Sequence, residues 1–211
     1  MDPREKSATP TRCAQCRQPM ESPIACSTCG AFAQVPPDTF DCFELFGLKR
    51  SYELDLEVLH HKFLALSRVI HPDIAGHDSE DRRQQALSLS AEFNRAYDTL
   101  CDPVARAEYL LSLAGGPGPS EDKTVPKDLL GQVLMLREEL DEAVRSADAD
   151  ALRSLKQRIA TRHDQVLREI AKLASSLDET GPENHKKLRE QLNTIKYYNN
   201  LLDQIPASSI E

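Results

Sequence analysis

Between residues 149 and 177 the apolar side chains Leu152, Leu155, Ile159, Val166, Ile170, Leu173 and Leu177 recur at steps of three, four and seven. Such positions share one side only on an α-helix, and here on a long one. The stripe is heptad-like, and only His163 interrupts it. A stripe of that length demands partner helices to cover it. The flanking segments supply them: one helix over 127–146, and another after Gly181-Pro182 that buries Leu188, Leu192, Ile195 and Leu202. Short connections make the three helices antiparallel neighbours in a bundle. The composition, 28% charged and 5% aromatic with no Trp, favours helices over a sandwich or barrel.

The N-terminal half carries the same periodicity in shorter pieces. Residues 39–46 read as a short apolar helix ending near Gly47. From Asp55, a helix N-cap, Leu56, Leu59, Phe63, Leu66 and Ile70 mark one buried face. His71-Pro72-Asp73 then stops the helix, because proline disfavours helical geometry at the residue before it. A longer helix over 79–100 presents Ala86, Leu89, Phe93, Ala96, Tyr97 and Leu100. Asp102-Pro103 starts another helix, over 104–113. The stretch GGPGPSEDKTVP (115–126) is the strongest break in the chain and separates two helical domains.

Cysteine spacing adds a third part. Cys13-x-x-Cys16 and Cys26-x-x-Cys29 are two identical pairs within seventeen residues. Each pair can place two thiolates on one metal through a tight knuckle, and two knuckles complete a tetrahedral shell. Gly30 suits the turn that follows the second pair. Four thiolates leave no open position, so a structural zinc is favoured over a catalytic one. Iron also suits such a shell. Two redox disulfides are the remaining alternative, against which stands the lack of a βαβ context. Cys42 and Cys101 lie singly in apolar helical patterns and read as buried packing residues. The linker after this module is Val35-Pro36-Pro37-Asp38.

Several classes are disfavoured. The 34 acidic against 26 basic residues give a net charge of −8, which argues against nucleic acid or an anionic membrane as the main partner. Arg12 and Arg17, with Arg4 and Lys6 further off, are too few for a phosphate-tracking surface beside the cysteines. No apolar run reaches the roughly 20 residues of a membrane span. The first twelve residues lack the apolar core of a signal peptide, so the expected home is the cytoplasm, a reducing compartment.

His71-Pro72-Asp73 opens the connection between two amphipathic helices. It can be read as an acid–base dyad, as a plain turn, or as a docking motif. The dyad lacks a nucleophile or further polar groups around it. The docking reading needs a helix before and a longer helix after, and both are expected here.

Taken together, FDCFELFGL (40–48), the His-Pro-Asp tripeptide, Asn94-Arg95-Ala96-Tyr97 and Asp102-Pro103 resemble a J-domain. Beyond it, Arg106-Ala107-Glu108-Tyr109-Leu110-Leu111 and Leu136-Arg137-Glu138-Glu139-Leu140-Asp141-Glu142 are similar to the HscB family, co-chaperones of iron–sulfur cluster assembly. The resemblance runs from about 39 to 205. The paired cysteines resemble the form found in some members, notably eukaryotic ones.

The resemblance implies an all-α protein and no enzyme. Residues 1–38 are the four-Cys zinc-knuckle module and linker, and 39–114 a J-domain helical hairpin. A linker follows at 115–126, and 127–211 form a three-helix bundle that binds the scaffold. It implies that His71, Pro72 and Asp73 engage a DnaK/HscA-class chaperone and stimulate its ATP hydrolysis. The bundle would hold an IscU-type scaffold through Leu130, Leu134, Arg137, Glu138 and Glu142, with Tyr197 on the last helix. Cys13, Cys16, Cys26 and Cys29 would hold one Zn2+ per chain, and a homodimer is allowed. The alternative function is a general J-domain co-chaperone whose client binds the zinc module.

Three positions depart from the family pattern. Gly131 and Met135 replace a larger apolar residue and an acid, and Ile74 replaces a lysine after the tripeptide. The basic face before it is thin: His60, His61, Lys62 and Arg68.

Unrolling the helix over 127–146 gives a partly independent view. Leu129, Val133, Leu136 and Leu140 form one stripe, while Leu130 and Leu134 lie about 90–130° away among Arg137, Glu138 and Asp141. An apolar patch with a charged rim suits a modest interface. Packing under the J-domain is the other use for those leucines. Of Tyr197 and Tyr198, one should face the core and one should not.

Overall fold

The computed structural model describes residues 12–32, 39–75, 79–177 and 181–205. The linker expected at Val35–Asp38 lies outside the described residues. Among them are eight helices, and the only extended pairing is two isolated β-bridges, Arg12 with Pro19 and Ala25 with Phe32. Contacts divide the chain into two compact units, Met1–Asp102 and Pro103–Glu211.

The first unit begins with the four-cysteine segment and continues into α1, Cys42–Leu45. Asp41 caps α1 in a reciprocal box: its carboxylate accepts from Glu44 N at 2.8 Å, and Glu44 accepts from Asp41 N at 2.9 Å. Gly47 follows at φ 61°, which ends the helix. Helix α2, Leu56–Ile70, is capped by the Asp55 carboxylate, which accepts from Glu57 N and Val58 N. It buries Leu59, Leu66 and Ile70. Leu56, expected on that face, is 46% exposed, because it occupies the first helical position, a turn ahead of the buried run.

A single turn, α3 (Pro72–Ala75), leads toward α4, Glu80–Cys101, and packs on both α2 and α4. The core between the long helices is aromatic. Phe46 meets Phe93 at 4.4 Å between ring centroids, and Phe63 stacks on Tyr97 at 4.1 Å. Cys42 and Cys101, expected to be buried, are only partly so.

The second unit holds α5 (Pro103–Leu113), α6 (Leu129–Arg145), α7 (Ala149–Ser175) and α8 (Pro182–Asp203). Helix α7 buries Leu152, Leu155, Ile159, Val166 and Ile170 against its neighbours, as its stripe requires. On α8 the buried path runs Leu188, Leu192, Ile195, Tyr198 and Leu201. Leu202, expected in the core, is half-buried. After Ile195 the path advances by threes, which brings Leu201 rather than Leu202 inward.

The Gly/Pro-rich break at 115–126 puts α5 at the end of the hairpin domain, whereas in the structure it packs on α7 and α8. Its tie to α8 is a buried arginine. Arg189, 1% exposed, donates Nη1 to the Glu108 carboxylate at 2.8 Å and Nε to the Pro117 carbonyl at 2.8 Å, and Nη2 pairs with the other Glu108 oxygen. Asn193 reaches the same connection, donating to the carbonyls of Asp122 and Thr124. A segment rich in Gly and Pro is thereby held against a helix face.

Candidate functional site

The two cysteine knuckles repeat one local design. Cys13 N donates to Gln18 O at 2.8 Å and Arg17 N to Cys13 O at 2.9 Å. Cys26 N donates to Ala31 O and Gly30 N to Cys26 O, both at 2.9 Å. Each loop closes on a left-handed residue, Arg17 at φ 60° and Gly30 at φ 72°. The sequence signalled Gly30, whereas Arg17 carries no such signal.

The four Sγ atoms lie within 4.8 Å of one another. Cys13 and Cys29 are 3.6 Å apart at Sγ, and Cys16 and Cys26 3.7 Å. A metal–sulfur bond of about 2.3 Å in a tetrahedron sets sulfurs about 3.8 Å apart, so this donor set fits a four-thiolate ion. Such an ion would fix the fold of the segment and offer no open position for chemistry.

Backbone N–H groups of Cys16 and Gln15 point at the Cys13 sulfur and lower its pKa. At Cys26 burial pushes upward, but the Cys29 and Thr28 N–H groups and the Cys16 thiol outweigh it and bring the value to about 6. At Cys29 the Ala31 N–H pulls downward. Burial and the three neighbouring cysteines prevail, and the thiol is pushed up to about 12.

The His71–Asp73 turn stands on the first unit's surface. His71 ends α2 in extended geometry, and its carbonyl accepts from Ile74 N at 3.0 Å. Its Nδ1 accepts from Asp73 N at 3.2 Å and lies 3.9 Å from the Asp73 carboxylate. The His71 and Asp73 side chains are 55% and 85% exposed, and Ile74 is 61% exposed. Of the four basic residues before the turn, His60 is hydrogen-bonded through Nδ1 to the Tyr97 hydroxyl at 2.9 Å. Lys62 pairs with Glu21 of the cysteine segment at 3.8 Å. His61 and Arg68 are exposed.

On the bundle, α6 turns Leu129, Val133, Leu136 and Leu140 inward. Leu130, Leu134 and Met135 are 54%, 58% and 63% exposed, beside exposed Arg137, Glu138 and Glu142. A Cβ on Gly131 would meet nothing within 4 Å, so the surface there is open. Tyr198 is buried and Tyr197 half-buried. Tyr197 lines a shallow groove with Pro119, Lys123, Asn193 and Lys196, residues of the α5–α6 connection and α8, and no α6 residue shares it. No described helix is long and apolar enough to cross a membrane.

These observations define an all-helical protein: a hairpin with exposed His71 and Asp73 side chains, a cluster of four cysteines, and a bundle with an apolar strip on one helix. Residues 125–206 match the family model described as the HSCB C-terminal oligomerisation domain. Chaperone HscB from Vibrio cholerae is similar at 32% identity and a TM-score of 0.66, over 79% of this chain and 95% of that one. The crystal structure of human co-chaperone protein HscB is similar at 25% identity and a TM-score of 0.73, over 92% and 96%. The chain belongs to the HscB family.

Proposed function

We propose that this chain is a co-chaperone of iron–sulfur cluster assembly, acting by binding rather than by catalysis of its own. His71, Pro72 and Asp73 engage a DnaK/HscA-class chaperone and stimulate its ATP hydrolysis. The α6 face of Leu130, Leu134, Arg137, Glu138 and Glu142 holds an IscU-type scaffold, and Tyr197, in its own groove beside the α5–α6 connection, makes a second contact. Holding both partners raises the scaffold's effective concentration at the chaperone, so one chain tethers and triggers together. Cys13, Cys16, Cys26 and Cys29 carry one structural Zn2+. Four reduced thiols suit a reducing compartment such as the cytoplasm.

The observation that carries this reading is the turn itself. A His and an Asp joined by proline stand exposed on a hairpin whose core is otherwise aromatic and closed. Proline fixes the backbone between them, so the imidazole and the carboxylate are offered together, at one spacing, to a partner. The test is steady-state ATP hydrolysis by the chaperone, with the scaffold, this chain, and its His71→Gln variant added in turn. Synergistic stimulation by chain plus scaffold, lost in the variant while scaffold binding persists, is expected. Equal stimulation by the variant would refute the assignment of the turn.

A further inference from the structure

The four-cysteine segment is built into the hairpin unit. Ser22, fully buried, donates Oγ to the Leu45 carbonyl at 2.7 Å. A Cβ on Gly47 would lie 2.1 Å from the Glu21 carbonyl oxygen, so the two backbones touch where only glycine fits. The most distant tie is Arg82. Its Nη2 donates to the Gly30 carbonyl at 3.1 Å, and its guanidinium lies 5.3 Å from the Phe32 ring centroid. Gly30 directly follows the ligand-type residue Cys29, and its N–H is bonded to Cys26 O within the second knuckle. The order of that knuckle therefore decides whether the Gly30 carbonyl stands where Nη2 of Arg82 reaches it.

Arg82 also belongs to the first turn of α4, where its backbone N–H donates to the Ser79 cap at 3.2 Å. The one-turn helix that contains Pro72 and Asp73 packs on α4. A chain of contacts thus runs from the second knuckle through Arg82 to the helix supporting the exposed turn. We propose that Arg82 is a positioning residue through which the metal-ordered knuckle holds the start of α4, and so sets how the His71–Asp73 turn is presented to the chaperone. The proposal rests on the co-chaperone reading of the first unit. It gives the four-thiolate centre a second consequence: loss of the metal weakens chaperone engagement and leaves scaffold binding on the bundle untouched.

The full-length chain is compared as wild type, Arg82→Ala, Arg82→Lys, and Cys29→Ser prepared without zinc. Backbone hydrogen exchange is followed over 71–75 and 80–86, together with the half-saturating concentration and the maximum of ATPase stimulation, and scaffold affinity. Losing a charge-assisted hydrogen bond and a cation–π contact should raise the half-saturating concentration about five- to tenfold in Arg82→Ala. Exchange over 80–86 should accelerate, while the maximum, the scaffold affinity and the zinc content stay at wild-type values. Lysine can donate to the Gly30 carbonyl but does not stack as a plane, so Arg82→Lys should recover part of the loss. Zinc-free Cys29→Ser should match Arg82→Ala, and the double variant should be no worse than either, since both remove the same link.

Wild-type exchange in Arg82→Ala, or full additivity in the double variant, would overturn the proposal. If Arg82→Ala lost helicity, Phe32→Leu, which removes the ring and keeps the arginine, should show the same effects at smaller size; wild-type behaviour there would likewise overturn it. Absence of stimulation by the wild-type chain would refute the co-chaperone reading alone, and the exchange measurements would still decide whether Arg82 links the knuckle to α4.

Discussion

Four thiols within 4.8 Å cannot all ionise unless a cation shares the space. Cys26 and Cys29 are driven in opposite directions. Cys26, near 6, is a thiolate at neutral pH, whereas Cys29, pushed up to about 12, keeps its proton. Metal binds thiolates, so uptake near neutral pH must displace at least the Cys29 proton, and affinity must rise with pH. Below about pH 6 the proton on Cys26 must be displaced as well, and the dependence steepens. Calorimetric titration with zinc in buffers of different ionisation enthalpy will show this release; uptake without protons around neutrality would contradict it. The clustering of the four cysteines is legible in the sequence because two identical spacings so close together point to one site. Arg17 is not legible, since a non-glycine residue at φ 60° carries no compositional mark.

Helix termini and stripes follow from local chemistry, and α2, α4, α7 and α8 begin within a residue or so of where caps and prolines place them. What local chemistry does not reveal is pairing across long distances. Arg189 reaches Glu108 over 81 positions and is almost wholly buried, a state in which arginine is seldom found unpaired. Arg189→Ala should therefore lose about 3 kcal/mol in urea unfolding, because it strands the Glu108 carboxylate and the Pro117 carbonyl. Replacing both partners, Arg189→Met with Glu108→Leu, should restore most of that loss, since an apolar pair needs no desolvation of charge. A single-variant loss under about 1 kcal/mol would put the clamp in the class of surface ion pairs.

At the scale of the molecule, the Gly/Pro-rich stretch suggested a boundary at 115–126, while contacts divide the chain at Asp102 and Pro103. Composition marks where a chain turns, and Arg189 and Asn193 decide what the turning segment lies against. The α6 face was partly legible. Periodicity put Leu130 and Leu134 off the core stripe, and both stand exposed. It could not distinguish an interface from internal packing, because a helical wheel does not reveal what covers each side. Tyr197, read with that face, lies instead in a groove beside the α5–α6 connection. Replacing Leu130 and Leu134 together by alanine should weaken scaffold binding by about 1–3 kcal/mol. Unfolding should change by no more than about 0.5 kcal/mol, since both side chains already face water. Titration calorimetry beside thermal melting separates the two; unchanged scaffold affinity would move the interface elsewhere on the bundle.

Gly47 answers to two masters. Its positive φ ends a short helix, a condition asparagine also meets. Its contact with the Glu21 carbonyl admits no side chain at all. A descendant that shed the cysteine segment would be released from the second condition and free to drift to asparagine. A descendant that kept the segment would not. Asparagine at position 47, eighteen residues beyond Cys29, would thus mark a lineage that no longer carries the cysteine segment.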